Sequence, residues 1–118
     1  MTKTDDAFRT LERDAERLRD VHLRDLFAAD PGRPETFTRR FADLTLDLSR
    51  ERIDAEALTN LLVLAENADV VARRDAMFAG EAINGTEGRA VLHMSLRAAD
   101  DARFGTGGAD VMSGIVTT

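Results

Sequence analysis

The chain has 118 residues, 43% of them hydrophobic, a length and composition typical of one globular domain rather than of a disordered segment. Its 22 acidic and 16 basic residues give a net charge of −6, which argues against nucleic-acid binding, and no apolar run reaches the ~20 residues of a membrane span. The lack of cysteine excludes disulfides and thiolate zinc sites, and the acidic N-terminus does not resemble a targeting peptide, so a cytoplasmic location is expected.

Hydrophobic periodicity predicts helices in the first part of the chain. A helix is predicted over residues 5–27, because four apolar residues recur at helical spacing: Phe8, Leu11, Ala15 and Leu18. Asp30 and the proline after it resemble an N-cap followed by proline at the first helical position. A second, short helix is therefore predicted up to about residue 41, with Phe37 and Phe41 on one side.

The middle of the chain predicts one strand and two more helices. Residues 44–48, LTLDL, alternate apolar and polar side chains, which is the pattern of a short strand. Asp54 is a candidate N-cap for the next helix, and Asn67 can end it. Asp69 is expected to begin a further helix, for which Gly80 provides the C-terminal stop.

A last full helix is predicted over residues 87–98, after a turn. Glycines then predict a flexible connector over residues 100–110, and Asp110 is a candidate N-cap for a helix from Val111. A helix with so few residues is marginal on its own, so we expect the chain to be part of a longer protein, although a natural C-terminus can also fray. The predicted fold class is mainly α, with about five helices and one or two short strands.

Arg89, His93 and Arg97 follow one another in steps of four and would line one face of the predicted helix. A basic face near a helix N-terminus can hold an anion. The alternative, which we favour, is a polar stripe that makes charge-assisted hydrogen bonds to neighbouring elements. His22 and His93, the two histidines, are not spaced as a local metal-binding pair, so no metal site is predicted.

Two further patterns are better explained by structure than by chemistry. The GTGG sequence of residues 105–108 has neither P-loop nor dinucleotide-loop spacing, and no lysine follows it. A paired-carboxylate site needs a cleft and perturbed pKa values, which the sequence does not indicate for the four acids Asp43, Asp47, Glu51 and Asp54. The residues alone therefore predict no catalytic group, cofactor or metal.

One long run of residues nevertheless resembles the N-terminal region of the glucose-6-phosphate isomerase family. The resemblance is carried by RDAMFAGE from Arg74, by Ile83 and Asn84, by TEGRAVLH from Thr86 to His93, and by Leu96 and Arg97. Shorter matches lie upstream and downstream: Leu26, Phe27, Asp30, Pro31, Arg33, Phe37, Leu46, Asp47, Ser49, Arg52, Ile53 and Asp110 to Met112. The resemblance covers roughly residues 22–116 and is weakest over residues 102–108 and at Ser113-Gly114.

The resemblance implies an α/β parent enzyme that interconverts glucose 6-phosphate and fructose 6-phosphate without metal or nucleotide. In that family a glutamate base moves a proton between C1 and C2 through an enediol, as general acid–base catalysis allows, and a histidine and a lysine assist ring opening. Those groups belong to later motifs, so no catalytic or substrate-binding residue is assigned here. The matching residues Asn84, Thr86, Glu87, Gly88, Arg89, His93 and Arg97 are expected to be structural.

The sequence is therefore consistent with three candidate functions. The preferred one is an N-terminal structural segment of the isomerase, inactive alone, whose partner is the remainder of the enzyme. Exposed apolar residues would then favour self-association of the isolated segment: Leu61, Leu62, Val91 and Leu92. The alternatives are a stand-alone helical protein-interaction module derived from the enzyme and, ranked last, a phosphate-binding regulatory domain that uses Arg89 and His93.

Overall fold

The computed structural model describes residues 1–99, 101–103, 105–106, 109–110 and 112. The contacts between its residues divide the chain into two units, residues 1–68 and residues 69–118. The length alone predicts a single domain. The described residues form five α-helices, one 3-10 helix and two short antiparallel hairpins, so the prediction of a mainly helical chain is confirmed. None of the described helices is both long and apolar enough to cross a membrane.

The first unit begins with two helices in place of the single helix predicted over residues 5–27. Helix α1 spans Lys3–Leu18 and helix α2 spans Leu23–Ala29. Where the chain leaves the helix between them, the Arg52 guanidinium, distant in sequence, donates to the carbonyl oxygens of Leu18 and Val21 at 3.1 and 3.3 Å. Such capping satisfies carbonyl groups that a helix end leaves unpaired, and a local sequence pattern cannot reveal it.

The predicted helix up to residue 41 is wrong in both of its ends. Asp30 is the C-cap of α2 and not an N-cap, and helix α3 spans only Arg33–Phe37. The chain then becomes strand β1, Thr38–Phe41, which pairs antiparallel with strand β2, Leu44–Asp47. The strand predicted at β2 is confirmed, and residues 38–41, the end of the expected helix, form β-structure by pairing with it.

The two phenylalanines expected on one side of that helix are separated by this change. Phe37 is fully buried at the end of α3, whereas Phe41 at the hairpin tip is 81% exposed. In the register of the hairpin, Phe41 lies opposite Leu44, and Leu46 lies opposite Arg39. Side chains opposite one another share a face, so one face of this hairpin, called the apolar face below, carries three exposed apolar side chains beside Arg39.

Helix α4, Ala55–Asn67, completes the first unit and packs against α1. Asp54 caps it by accepting the Ala57 N–H at 2.9 Å, and it ends at Asn67, both as predicted. A small apolar core joins three helices at Leu18, Leu26 and Ala57. The stripe predicted on α1 is only partly correct, since Phe8 is exposed and its neighbour Ala7 is buried instead.

The second unit contains helix α5, Val70–Phe78, a 3-10 helix, Ser95–Arg97, and a two-residue ladder of strands β3, Gly105–Thr106, and β4, Ala109–Asp110. Asp69 is the N-cap of α5, as predicted, although its side chain makes no capping hydrogen bond. Gly80 has a φ of 75°, the left-handed conformation expected of a glycine that ends a helix. Of the helix predicted from Val111, only Met112 lies within the described residues.

Candidate functional site

The residues that carry the family resemblance form a tight turn between Asn84 and Arg89. The Asn84 N–H donates to the Arg89 carbonyl at 3.0 Å, and the Gly88 N–H donates to the Asn84 carbonyl at 2.8 Å. The Asn84 side chain bonds within the turn, where its Oδ1 accepts from the Thr86 hydroxyl at 2.7 Å and from the Thr86 N–H at 3.3 Å. Side-chain bonds of this kind compete with helical hydrogen bonding.

The helix predicted over residues 87–98 is therefore wrong. Gly88 has a φ of +64°, a left-handed conformation that ends any helical path at this point, and the backbone pairing of Asn84 with Arg89 turns the chain back on itself. Thr86 and Glu87 follow Asn84 as the first turn of a capped helix would, which explains the error. Here the contacts of Thr86 and Glu87 with the Asn84 side chain stabilise a closed turn instead of a helix N-terminus.

Loss of the helix also removes the face that Arg89, His93 and Arg97 were expected to share. Arg89 closes the turn, His93 lies in an exposed turn, and Arg97 ends the 3-10 helix, with all three side chains exposed. The two hypotheses that used this face, an anion site and a polar packing stripe, both required helical spacing. The other histidine, His22, is the N-cap of α2, where its Nδ1 accepts the Arg24 N–H at 3.1 Å.

The four acids considered as paired carboxylates have separate structural roles. Asp43 and Glu51 are exposed. Hydrogen bonds from Ser49, including its N–H at 2.8 Å, hold the pKa of Asp47 below its ordinary value. Asp54 caps α4 and pairs with Arg17, which lowers its pKa as well. A lowered pKa keeps a carboxylate charged, which is unsuitable for a general acid near neutral pH.

A polar network that the sequence did not reveal joins α1 to α4. The Arg17 guanidinium donates to Asp14 Oδ1 at 2.8 Å and also pairs with Asp54, and Asn60 Nδ2 donates to Asp14 Oδ2 at 2.7 Å. Arg17 and then Asn60 lower the pKa of Asp14, although burial of that carboxylate acts in the opposite direction. The i,i+3 spacing of Asp14 and Arg17 predicts an ion pair between these two residues. The participation of Asn60 and Asp54 could not be predicted, because it depends on how α4 packs against α1.

Arg33 occupies the interior of the first unit with only 1% of its surface exposed. Its Nε donates to the Ser49 carbonyl and one terminal nitrogen donates to the Glu51 carbonyl, both at 2.6 Å. The guanidinium carbon lies 4.2 Å from the centre of the Phe37 ring and 5.6 Å from that of Phe27. Arg33 thus connects α2, α3 and the segment after β2. These hydrogen bonds stabilise the fold and do not bind a ligand.

An open apolar cavity of about 440 Å³ lies between α1 and α4. Leu11, Leu18 and Leu61 contribute to its walls, and the carboxylate at its edge, Asp14, is already engaged by Arg17 and Asn60. Within the described ranges, no group of three or more His, Asp or Glu side chains is placed to hold a metal ion. The side chains that line this cavity are mainly apolar, and they do not include a pair of unengaged groups that could act as general acid and base.

The phosphoglucose isomerase family model matches residues 47–118. The glucose-6-phosphate isomerase of Deinococcus deserti is 55% identical over 92 residues, 78% of this chain and 17% of the relative. The enzyme of the same name from Roseiflexus sp. is 50% identical over 105 residues, 89% of this chain and 19% of the relative. Glucose-6-phosphate isomerase 1 of Rhodococcus jostii is 50% identical over 98 residues, 83% of this chain and 18% of the relative.

The relatives named above are isomerases by name. The chain belongs to the phosphoglucose isomerase family, whose model matches more than half of its residues. This membership confirms the resemblance found in the sequence and supports the α/β architecture predicted for the parent protein. The chain spans about a fifth of the length of the curated relatives that it matches.

Proposed function

We propose that this chain is the N-terminal structural segment of a glucose-6-phosphate isomerase, a cytoplasmic enzyme of glycolysis and gluconeogenesis. The observation that carries the proposal is identity of 50–55% with three such enzymes over 78–89% of the chain. The parent reaction interconverts glucose 6-phosphate and fructose 6-phosphate by proton transfer through an enediol. The segment supports that chemistry and does not perform it.

The structural role is supported by what the polar side chains do. Asp14, Asp54 and Arg17 hold α1 to α4, and Arg33 holds the segments around α3. Acid–base catalysis needs a titratable group within hydrogen-bond reach of the substrate and with a pKa near the working pH. Among the described acids, every resolved pKa shift is a lowering, and each shifted group is already bonded within the fold.

A chimaeric enzyme tests the proposal. The matching segment of the Deinococcus deserti isomerase is replaced by this chain, and conversion of fructose 6-phosphate is followed in a coupled assay. We expect clear turnover by the chimaera and none by the isolated chain or by the relative without the segment. Turnover by the isolated chain above a boiled control, or a folded but inactive chimaera, would contradict the proposal.

The same chimaera distinguishes a structural from a chemical role for the family-motif histidine. His93→Gln is expected to leave both kcat and KM within about threefold of the chimaera, because a group outside the reaction provides no transition-state stabilisation. His22→Gln, at the N-cap of α2, is the matched control. A large loss of kcat in the His93 variant alone would assign that imidazole to the reaction.

Self-association of the isolated chain forms a second part of the proposal. Leu61 and Leu62 on α4 are exposed, which supports it, whereas Val91 and Leu92 are half-buried in their own unit. The exposed hairpin face at Phe41 adds apolar surface that was not predicted from the sequence. Exposed apolar surface favours association in water.

A further inference from the structure

The turn at Asn84 contains a reactive dipeptide that the proposed function does not use. The chain has three asparagines, Asn60, Asn67 and Asn84, and only the last is followed by glycine. The backbone nitrogen after an asparagine can attack the side-chain amide carbon, and a Cβ on the following residue hinders that attack. Glycine has no Cβ, so the Asn84-Gly85 pair has the least hindered nucleophile of the three.

The structure leaves this nucleophile accessible. Gly85 is exposed, and apart from Gly85 and its chain neighbours Asn84 and Thr86, no residue has a heavy atom within 4 Å of the position that a Cβ would occupy. Among the residues that the structure describes, none accepts a hydrogen bond from the Gly85 N–H. Loss of the Gly85 amide proton therefore breaks no contact of the turn.

The side-chain amide of Asn84 is held as an electrophile. Its Oδ1 accepts from the Thr86 hydroxyl at 2.7 Å and more weakly from the Thr86 and Glu87 N–H groups at 3.3 and 3.4 Å. Attack at Cγ places negative charge on this oxygen, and donors already directed at it stabilise that charge, as in an oxyanion hole. The Thr86 hydroxyl, the closest donor, is the largest contributor.

We propose that Asn84 is a site of spontaneous deamidation in the folded chain. The Gly85 nitrogen loses its proton to hydroxide and bonds to Asn84 Cγ. The Cγ–Nδ2 bond then breaks, and ammonia leaves with a proton from water, which produces a five-membered succinimide. Addition of water to either succinimide carbonyl opens the ring to an aspartyl or isoaspartyl residue at position 84.

The product does not fit the turn that forms it. Asn84 Nδ2 donates to Glu87 Oε2 at 3.3 Å, and deamidation replaces this donor by a second carboxylate. Two like charges at that separation repel, and the repulsion is strongest at low ionic strength. The isoaspartyl product also lengthens the backbone within the pairing of Asn84 with Arg89. Deamidation should therefore open the turn.

Timed incubation of the purified full chain at mildly alkaline pH tests the proposal. Peptide mapping by mass spectrometry measures conversion at each asparagine, and an isoaspartyl methyltransferase assay identifies the isoaspartyl product. We expect conversion at position 84 to exceed that at Asn67 several-fold and to accelerate with pH, because the attacking nitrogen must be deprotonated. Conversion at position 84 no faster than at Asn67 would overturn the proposal.

Two variants test the two halves of the mechanism. Gly85→Ala has room for its methyl group and no positive φ to strain it, so the turn is retained while conversion at position 84 falls to the rate at Asn67. Thr86→Val removes the hydroxyl donor and is expected to slow conversion several-fold. An unchanged rate in Gly85→Ala excludes attack by that nitrogen, and an unchanged or faster rate in Thr86→Val excludes activation by the hydroxyl.

Discussion

Arg33 shows what a single charged side chain contributes inside this small fold. Its guanidinium is withdrawn from water, and two backbone carbonyls and two aromatic rings surround it. A buried cation is costly unless hydrogen bonds compensate for its lost hydration. The planar donor fork of arginine suits two carbonyls from the segment after β2, so lysine is not an equivalent replacement.

Arg33→Met is expected to lower the free energy of unfolding by about 2 kcal/mol, because the carbonyls of Ser49 and Glu51 lose charge-assisted donors while apolar volume is largely kept. Urea unfolding followed by circular dichroism measures the change. Arg40→Met, at an exposed strand position, is the control and should stay within about 0.5 kcal/mol of the parent. Equal losses in the two variants would contradict this role.

Acid should weaken the contact between α1 and α4. The pKa values of Asp14 and Asp54 are lowered, chiefly by Arg17, from an ordinary value of 3.8. A carboxylate whose pKa is lower in the folded state contributes stability that is present above the unfolded value and lost as pH falls through the folded value. The free energy of unfolding should therefore fall below about pH 3.8, as urea titrations at several pH values would show.

Asp14→Asn provides the matched variant for this acid response. The new amide can still accept from Arg17, but it presents a donor to Asn60 Nδ2 where the carboxylate offered an acceptor. We expect lower stability at neutral pH and a shallower decline in acid, because one of the two carboxylates with a lowered pKa at the contact between α1 and α4 is gone. An acid decline as steep as that of the parent chain would assign the effect to other groups.

Among the elements, the turn from Asn84 to Arg89 differs most from its sequence pattern. TEGRAVLH has helical periodicity, yet Gly88 adopts a φ of +64° and a ladder contact joins the two ends of the turn. Local hydrogen bonds that Thr86 donates to the Asn84 Oδ1 compete successfully with the first turn of a helix. The β1–β2 hairpin is a similar case, because a partner strand decides the conformation of residues 38–41.

Gly88→Ala is expected to destabilise the turn by roughly 1–2 kcal/mol, since an L-residue is strained at a left-handed φ. Amide hydrogen exchange at the Asn84 and Gly88 N–H groups reports the opening of the turn, because both are hydrogen-bonded within it. Gly85→Ala, which has open space and no positive φ, should leave these exchange rates nearly unchanged. Equal protection in both variants would show that the turn does not depend on Gly88.

For the molecule as a whole, the main feature is the amount of apolar surface left in water. Helix α4 is apolar at most positions, which is typical of a helix covered on several sides, yet it packs in its own unit chiefly against α1. Leu62 on α4 is 58% exposed, and the hairpin face at Phe41 is exposed as well. Self-association is expected to cover part of this surface.

Leu62→Glu should lower the concentration-dependent mass measured by light scattering, because a charge replaces an exposed apolar side chain. Thr45→Glu, at an exposed hairpin position outside the apolar face, adds the same charge and should leave the mass unchanged. A monomer at high concentration in the parent chain would refute self-association. Equal effects of the two substitutions would refute a role for Leu62.

The amino-acid sequence alone predicts the family, the helical class, the strand at residues 44–47, the cap at Asp54 and the helix ends at Asn67 and Gly80. These features depend on local chemistry: an acid that accepts the first N–H groups, a glycine that tolerates a left-handed φ, and an alternation that matches a strand. The family resemblance likewise depends on an ordered run of residues that is read without knowing the fold.

Features that depend on contacts between distant residues could not be predicted from the sequence. Arg52 donates to the carbonyl of Leu18 at the end of α1, β2 pairs with the segment after Phe37, and Asn60 completes the network around Asp14. The helical face predicted for Arg89, His93 and Arg97 was wrong because that turn closes on itself. Each outcome is determined by hydrogen bonds between groups whose proximity in space a periodic pattern along the chain does not specify.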